Sequence, residues 1–228
     1  MFDLIAKTSN FLPLLIFFWK RPKQKSAWVF LFYLCYSVIN EELINYFANN
    51  GILGSNPGLE NILLSIFTIV EYFCLAFTLK TFLNKKIYSF LLNIGTILFC
   101  IIAISYSSYN FYTNNLVNEK FDIIPIASSA IILLSFSILV LFEEMQSQII
   151  GFVYNTYKFW VISGIMIYFA GTFFFFLYYS KMGSGDKDFF WNVNWISIIL
   201  KNIFFSIAFL MPEEADKKEE PEGYFPEN

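Results

Sequence analysis

Apolar and polar positions divide this chain into seven mostly apolar stretches, each close to the roughly 20 residues a helix needs to cross about 30 Å of hydrocarbon. They fall at 4–19, 27–47, 59–80, 87–108, 123–143, 157–179 and 189–211, and charged or turn-forming segments separate them. The pattern predicts an all-α, polytopic membrane bundle of seven transmembrane helices over residues 1–211. The first stretch is short and holds Pro13. Its leading residues pair Asp3 with Lys7, and no small-x-small cleavage site follows, so it is expected to stay as the first helix. After Met211 the run PEEADKKEEPEGYFPEN sets seven acidic residues against two lysines. It is too polar to join a core, and 212–228 is expected to be an acidic disordered cytoplasmic tail.

Composition agrees with the pattern. Of 228 residues, 57% are hydrophobic and only 14% charged, too few to clothe a soluble globule of this size, and the mean hydropathy is +0.56. There is no histidine, which excludes His-based acid/base catalysis, His-ligated zinc or haem, and an autophosphorylated kinase core. Cys35, Cys74 and Cys100 all lie inside apolar runs without C-x-x-C spacing and read as small buried hydrophobes. No metal and no cofactor is expected.

Orientation follows from lysine and arginine in the short loops. Ten fall on one side: Lys20, Arg21, Lys23, Lys25, Lys80, Lys85, Lys86, Lys158, Lys217 and Lys218. Lys7, Lys120, Lys181 and Lys187 fall on the other, so the N-terminus is expected outside and the C-terminus in the cytoplasm. Trp19, Trp28 and Trp160 at inner helix ends, with Trp191 and Trp195 at the outer end of the seventh helix, are placed as an aromatic belt requires.

Ionisable residues within spans are the strongest pointers to a site, because each costs about 2.5–3.5 kcal/mol on insertion scales and must be matched inside the bundle. Here they are Glu41 and Glu42 in the second stretch, Glu71 in the third and Lys201 in the seventh. Glu71 and Lys201 each lie about 18 Å from the outer end of their helices at 1.5 Å per residue, and Glu41 lies about 9 Å from its own. Three polar stripes accompany them: Ser37, Glu41 and Asn45; Asn61, Thr68, Glu71 and Thr78; Asn194, Ser197 and Lys201. Two readings stay open. In one, Glu41, Thr68, Glu71, Asn194, Ser197 and Lys201 line a shared cavity open to the outside. In the other, Glu71 and Lys201 are a satisfied pair that fixes packing, with the Asn and Thr side chains as hydrogen-bonding glue.

Gly164 and Gly171 share one face of the sixth stretch and are expected to permit close helix approach. Glu143 and Glu144 are expected at a solvated helix end, and Phe173 through Phe176 as packing or lipid-facing residues. Paired features of the first and last three stretches set Glu71 opposite Lys201 and suggest a 3+1+3 parallel repeat: Pro13 with Pro125, AWVF with FWVI, and IVEYFCLAF with IILKNIFFSIAF.

The segments FWVISGIMIYFAGTFFFF and WISIILKNIFFSIAFL carry a resemblance, over nearly the whole chain, to uncharacterised bacterial seven-helix inner-membrane proteins that are often encoded beside sensor kinases. The resemblance implies multi-pass residence in the bacterial inner membrane and a signalling role. In topology the chain is similar to small sugar and PQ-loop transporters, but their Pro-Gln dipeptide is missing, as are prolines in the second and sixth helices. It also resembles a retinal protein in having Lys201 midway along the last helix as a Schiff-base amine and Glu71 as its counterion. It lacks the arginine and tryptophan that flank the counterion there, and the Trp-x-x-Tyr-Pro pattern of helix six.

The sequence therefore leads to an expected sensor or accessory protein. It receives a signal or small ligand in an outer-leaflet polar cavity and acts through a membrane or cytoplasmic partner. The alternative is a small-solute or ion transporter with a Glu/Lys coupling site, and a retinal-binding photoreceptor stands behind both. An enzyme is not expected, since no nucleophile stands beside a recognisable base. The expected surroundings are the lipid bilayer, with no nucleic acid.

Overall fold

A computed structural model of the chain describes residues 2–22, 25–55, 57–112, 123–147, 153–179 and 184–211. The acidic tail 212–228 and the orientation-setting Lys23, Lys120, Lys181, Lys217 and Lys218 lie outside the described residues. The described chain is all-α. Six of its helices are long and apolar enough to cross a membrane: α3 (Lys25–Asn49), α5 (Pro57–Phe82), α6 (Lys86–Tyr112), α7 (Ile123–Ser147), α8 (Tyr157–Tyr179) and α9 (Ser184–Leu210). They follow the expected stretches, several extending a turn or so beyond them.

The first stretch differs from expectation. It forms two short helices, α1 (Phe2–Ser9) and α2 (Phe11–Lys20), with a break at Asn10. Pro13 has no N–H to offer the Ser9 carbonyl four residues back, and its ring crowds that carbonyl, which favours a kink or break at this point. Pro13 is tolerated in the first turn of α2 because N–H groups there lack helical partners anyway. At its far end α2 stops on Arg21, held left-handed at φ 49°, whose N–H reaches back to the Phe17 carbonyl at 2.7 Å before Pro22 blocks continuation. A short turn of helix, α4 (Ile52–Ser55), links α3 to α5.

The helices close a ring. α2 packs on α3 and α9, α9 on α8, α8 on α7, α7 on α5, and α5 on α3; α1 rests on α9, while α6 packs against α5 and α7. Much of α6 is apolar and exposed, including Phe90, Ile94, Ile97, Ile101 and Ile104, as suits a surface facing hydrocarbon rather than water.

The α8–α9 seam depends on two glycines, as their shared face predicts. A Cβ on Gly164 would stand 2.6 Å from the Phe205 ring, and one on Gly171 would run into the Ser197 side chain. Of the neighbouring phenylalanines, Phe175 is buried, Phe174 is exposed, Phe173 packs on the core and Phe176 is half-buried.

At the Phe82 end the centre of the ring is filled by buried aromatic rings. Phe30 meets Phe205 edge-on at 4.3 Å between centroids, Phe17 meets Phe209 at 5.2 Å, and Tyr157 contacts both Phe82 and Phe209 at about 6 Å. The same end corrects one expectation from sequence: Glu143 and Glu144 are buried, not solvated. The Glu143 carboxylate accepts the backbone N–H of Lys85 at 2.7 Å and of Asn84 at 3.2 Å. It thereby satisfies donors at the start of α6 that have no helical partner. Glu144 lies 3.8 Å from the Lys158 ammonium of α8.

Candidate functional site

At the Asn49 end the ring is not filled. A cavity of about 720 Å³, within the range of small-molecule sites, runs from the ends of α3, α8 and α9 down to Lys201 and Tyr168. Polar lining comes from Lys7, Asn10, Ser37, Asn40, Glu41, Asn45, Asn192 and Asn194, and apolar walls come from Leu64, Phe67, Phe176, Trp191 and Trp195. Trp191 and Trp195 thus line the cavity, whereas Trp19 and Trp28 are exposed.

At the floor, Lys201 begins a chain of three side chains from three helices. The Lys201 ammonium of α9 donates to the Tyr33 hydroxyl of α3 at 3.0 Å, and that hydroxyl donates to Oε1 of Glu71 on α5 at 2.8 Å. Lys201 and Glu71 are therefore linked through Tyr33, and among the described residues they make no direct ion pair. All three are buried, at 3%, 0% and 5% exposure. The ammonium also sits 4.3 Å from the centroid of the Tyr168 ring on α8, an attractive cation–π arrangement. Lys201 lines the cavity while Glu71 lies behind Tyr33, so the positive end of the chain faces the open space.

The break between α1 and α2 supplies the next layer. The Asn10 amide donates to Oε2 of Glu41 at 2.7 Å, and its carbonyl oxygen accepts from Asn202 at 2.7 Å. Asn202 also donates to the Ser9 hydroxyl at 2.8 Å. Asn10 thus ties α9 to α3. The Lys7 ammonium donates to the Asn45 side-chain amide oxygen at 3.5 Å.

Of the six residues the sequence nominated, Glu41, Asn194 and Lys201 line the cavity. Glu71 lies outside the lining and adjoins it through Tyr33, bonded to Lys201, and through Tyr168, a lining residue that also bears on the Glu71 carboxylate. Thr68 and Ser197 lie outside the lining and turn their hydroxyls back to their own helices, to the Leu64 carbonyl at 3.0 Å and the Val193 carbonyl at 2.9 Å. Glu42, next to Glu41, is exposed. Asn194 is 7% exposed, and its side-chain oxygen has no hydrogen-bond partner among the described residues. A buried unpaired carbonyl is costly unless something fills its need.

Sequence reasoning missed Asn10, Tyr33, Tyr168 and Asn202. For Tyr33 a signal was present: it lies four residues before Ser37 on the Ser37, Glu41, Asn45 stripe. For Asn10 the signal was Pro13, read as a feature of one helix rather than as the cause of a break three residues earlier.

Cys35, Cys74 and Cys100 are free thiols, Cys74 buried and the other two half-buried. Among the described residues no cluster of three or more His, Cys, Asp or Glu side chains is arranged to hold a metal ion. No protein-family model, curated protein or solved structure matches the chain. What the fold establishes is a helical bundle with six helices long and apolar enough to span a membrane.

Proposed function

We propose that the chain is a multi-pass sensor or accessory protein of the bacterial inner membrane, in which the cavity receives a small ligand and the bundle passes the event to a partner protein. The single observation that supports this best is the state of the cavity: about 720 Å³ of space, lined by a buried ammonium and by a buried Asn194 whose oxygen has no partner among the described residues. In this reading α1 and α2 together form a seventh span, the N-terminus and cavity mouth face outward, and the C-terminus is cytoplasmic. α6, packed on α5 and α7 beside the ring, is the linker of a three-one-three plan.

The floor suggests how binding becomes movement. A ligand that accepts a hydrogen bond from Lys201 pulls on the ammonium whose other N–H holds the Tyr33 hydroxyl, the link by which α9 holds α3 and α5. Below it, the packed rings of Phe30, Phe205, Phe209 and Tyr157 form a close-fitting layer that transmits displacement rather than absorbing it. Ligand that favours the released arrangement shifts the population of the bundle by its differential affinity.

The test is native mass spectrometry on protein extracted gently from its own membrane, together with uptake by the purified chain in proteoliposomes. A second polypeptide at fixed stoichiometry, whose output changes in Lys201→Met and Glu71→Gln variants, is the expected result. Solute uptake by the chain alone, with no partner recovered, refutes it and establishes the transporter reading, for which the Lys201, Tyr33 and Glu71 chain is a coupling element.

A further inference from the structure

We propose that Glu71 is a proton-binding site, loaded from the cavity through Lys201 and Tyr33. The same three residues carry a proton whether the cavity's occupant is sensed or transported, so this goes beyond the receptor reading above and does not rest on it.

A lysine ammonium can only donate hydrogen bonds, and an ionised carboxylate can only accept them. The Tyr33 hydroxyl between the two therefore accepts from Lys201 at 3.0 Å and donates to Oε1 of Glu71 at 2.8 Å, so each proton is aimed at the next acceptor in line. Lys201 lines the cavity and Glu71 does not, and the line runs from open space to a buried carboxylate. One concerted shift moves a proton from Nζ to the Tyr33 oxygen as the Tyr33 proton passes to Oε1. That leaves an amine and a carboxylic acid. The amine then takes a proton from hydronium in the cavity, which departs as water, and the ammonium is restored. The net change is one proton added to Glu71. With it goes a buried negative charge whose cation stands a hydroxyl's width away.

Toward the Phe82 end the polar line stops. Phe30 packs on the Tyr33 ring at 5.8 Å between centroids and meets Phe205 at 4.3 Å, Leu75 and Leu79 are fully buried, and Thr78 turns its hydroxyl back to the Cys74 carbonyl at 2.9 Å. The other titratable side chains around the pair come from several helices. Tyr168 of α8 bears on both Glu71 and Lys201, Glu41 of α3 bears on Lys201, and Cys74 stands one turn along α5 from Glu71. Tyr168 also lines the cavity, so it offers Glu71 a second hydroxyl from the same side. Lys7 of α1 lines that cavity too. α6 brings Cys100 to Tyr72, while the ionisable side chains of α2 and α7, Lys20 and the Glu143 and Glu144 pair, stand at the Phe82 end.

The test is infrared difference spectroscopy on the full chain in lipid nanodiscs, following the C=O stretch of protonated carboxyl groups. Lowering the pH from about 8 to about 4, a span that covers ordinary and buried carboxylates, should raise a band that Glu71→Gln lacks. A Glu71 band absent throughout, or of constant intensity, overturns the site. Rapid acid jumps then time the loading. Tyr33→Phe/Tyr168→Phe removes both hydroxyls and should slow it by about tenfold or more, since positioned proton-transfer groups supply about 10²–10⁴-fold. Leu64→Trp keeps Lys201, Tyr33 and Glu71 and crowds the cavity wall on the mouth side of Glu71, so it should slow loading as well. It also tests the route should the double variant not fold. Slowing of less than about tenfold in a folded double variant overturns the relay. A parent-like rate in Leu64→Trp overturns entry by the cavity. Partner recovery and solute uptake, which decide the receptor reading, are untouched by any of these results.

Discussion

Removing one oxygen atom tests the central tie of the bundle. In Tyr33→Phe the ring stays and the hydroxyl that joins Lys201 to Glu71 is lost. A hydrogen bond with one charged partner contributes about 1.5–3 kcal/mol, and Tyr33 makes two of them. The losses are unequal. Lys201 lines the cavity, where water can replace the hydroxyl, and it keeps the Tyr168 ring 4.3 Å away. Glu71 is 5% exposed and outside the lining, so it takes most of the penalty, relieved in part by the Tyr168 side chain that also bears on it. The expected cost is therefore about one charged hydrogen bond, roughly 1.5–3 kcal/mol. The assay is reversible unfolding in bicelles, followed by circular dichroism, on the parent, Tyr33→Phe, Glu71→Gln and the double variant. If Tyr33 acts by serving Glu71, the double variant costs less than the sum of the singles by about 1–2 kcal/mol. A Tyr33→Phe protein within about 0.5 kcal/mol of the parent, or additivity within the same margin, would refute the claim that this chain of three residues holds α3, α5 and α9 together.

Two further predictions concern stability. Gly164→Ala drives a methyl group into the buried Phe205 ring, where a Cβ has only 2.6 Å, and should cost about 1–3 kcal/mol in the same unfolding assay; adding Phe205→Leu should recover part of that loss, and no recovery would mean the ring is not the obstacle. Glu143→Ala strips the acceptor from the Asn84 and Lys85 N–H groups and should cost about 1.5–3 kcal/mol, with hydrogen exchange at the start of α6 accelerating. Unchanged exchange there would show that water serves those donors equally well.

Much of the architecture was present in the order of residues alone. Long apolar runs dictate helices, because a backbone in hydrocarbon must satisfy its own hydrogen bonds, and six such helices are found where the runs lie. Gly164 and Gly171 sit seven residues apart and mark a close seam by helical periodicity, whichever helix turns out to be the neighbour. Lys201 and Glu71 identify themselves by the cost of a charge within an apolar run.

Tertiary structure decided the rest. Periodicity assigns a residue to a face of its helix but does not say which faces meet, and only closure of the ring brought Tyr33 between Lys201 and Glu71. The same closure turned Trp191 and Trp195 onto the cavity and buried Glu143 against the backbone of the α5–α6 turn, a partner 58 residues away that carries no side-chain signature. Thr68 and Ser197 show the converse. Their spacing placed them on the polar stripes, yet each hydroxyl finds an acceptor on its own helix and so leaves the cavity to others. Pro13 favours a kink or break in the first helix, but the use of that break, with Asn10 joining Glu41 to Asn202, depends on α3 and α9 standing on either side of it.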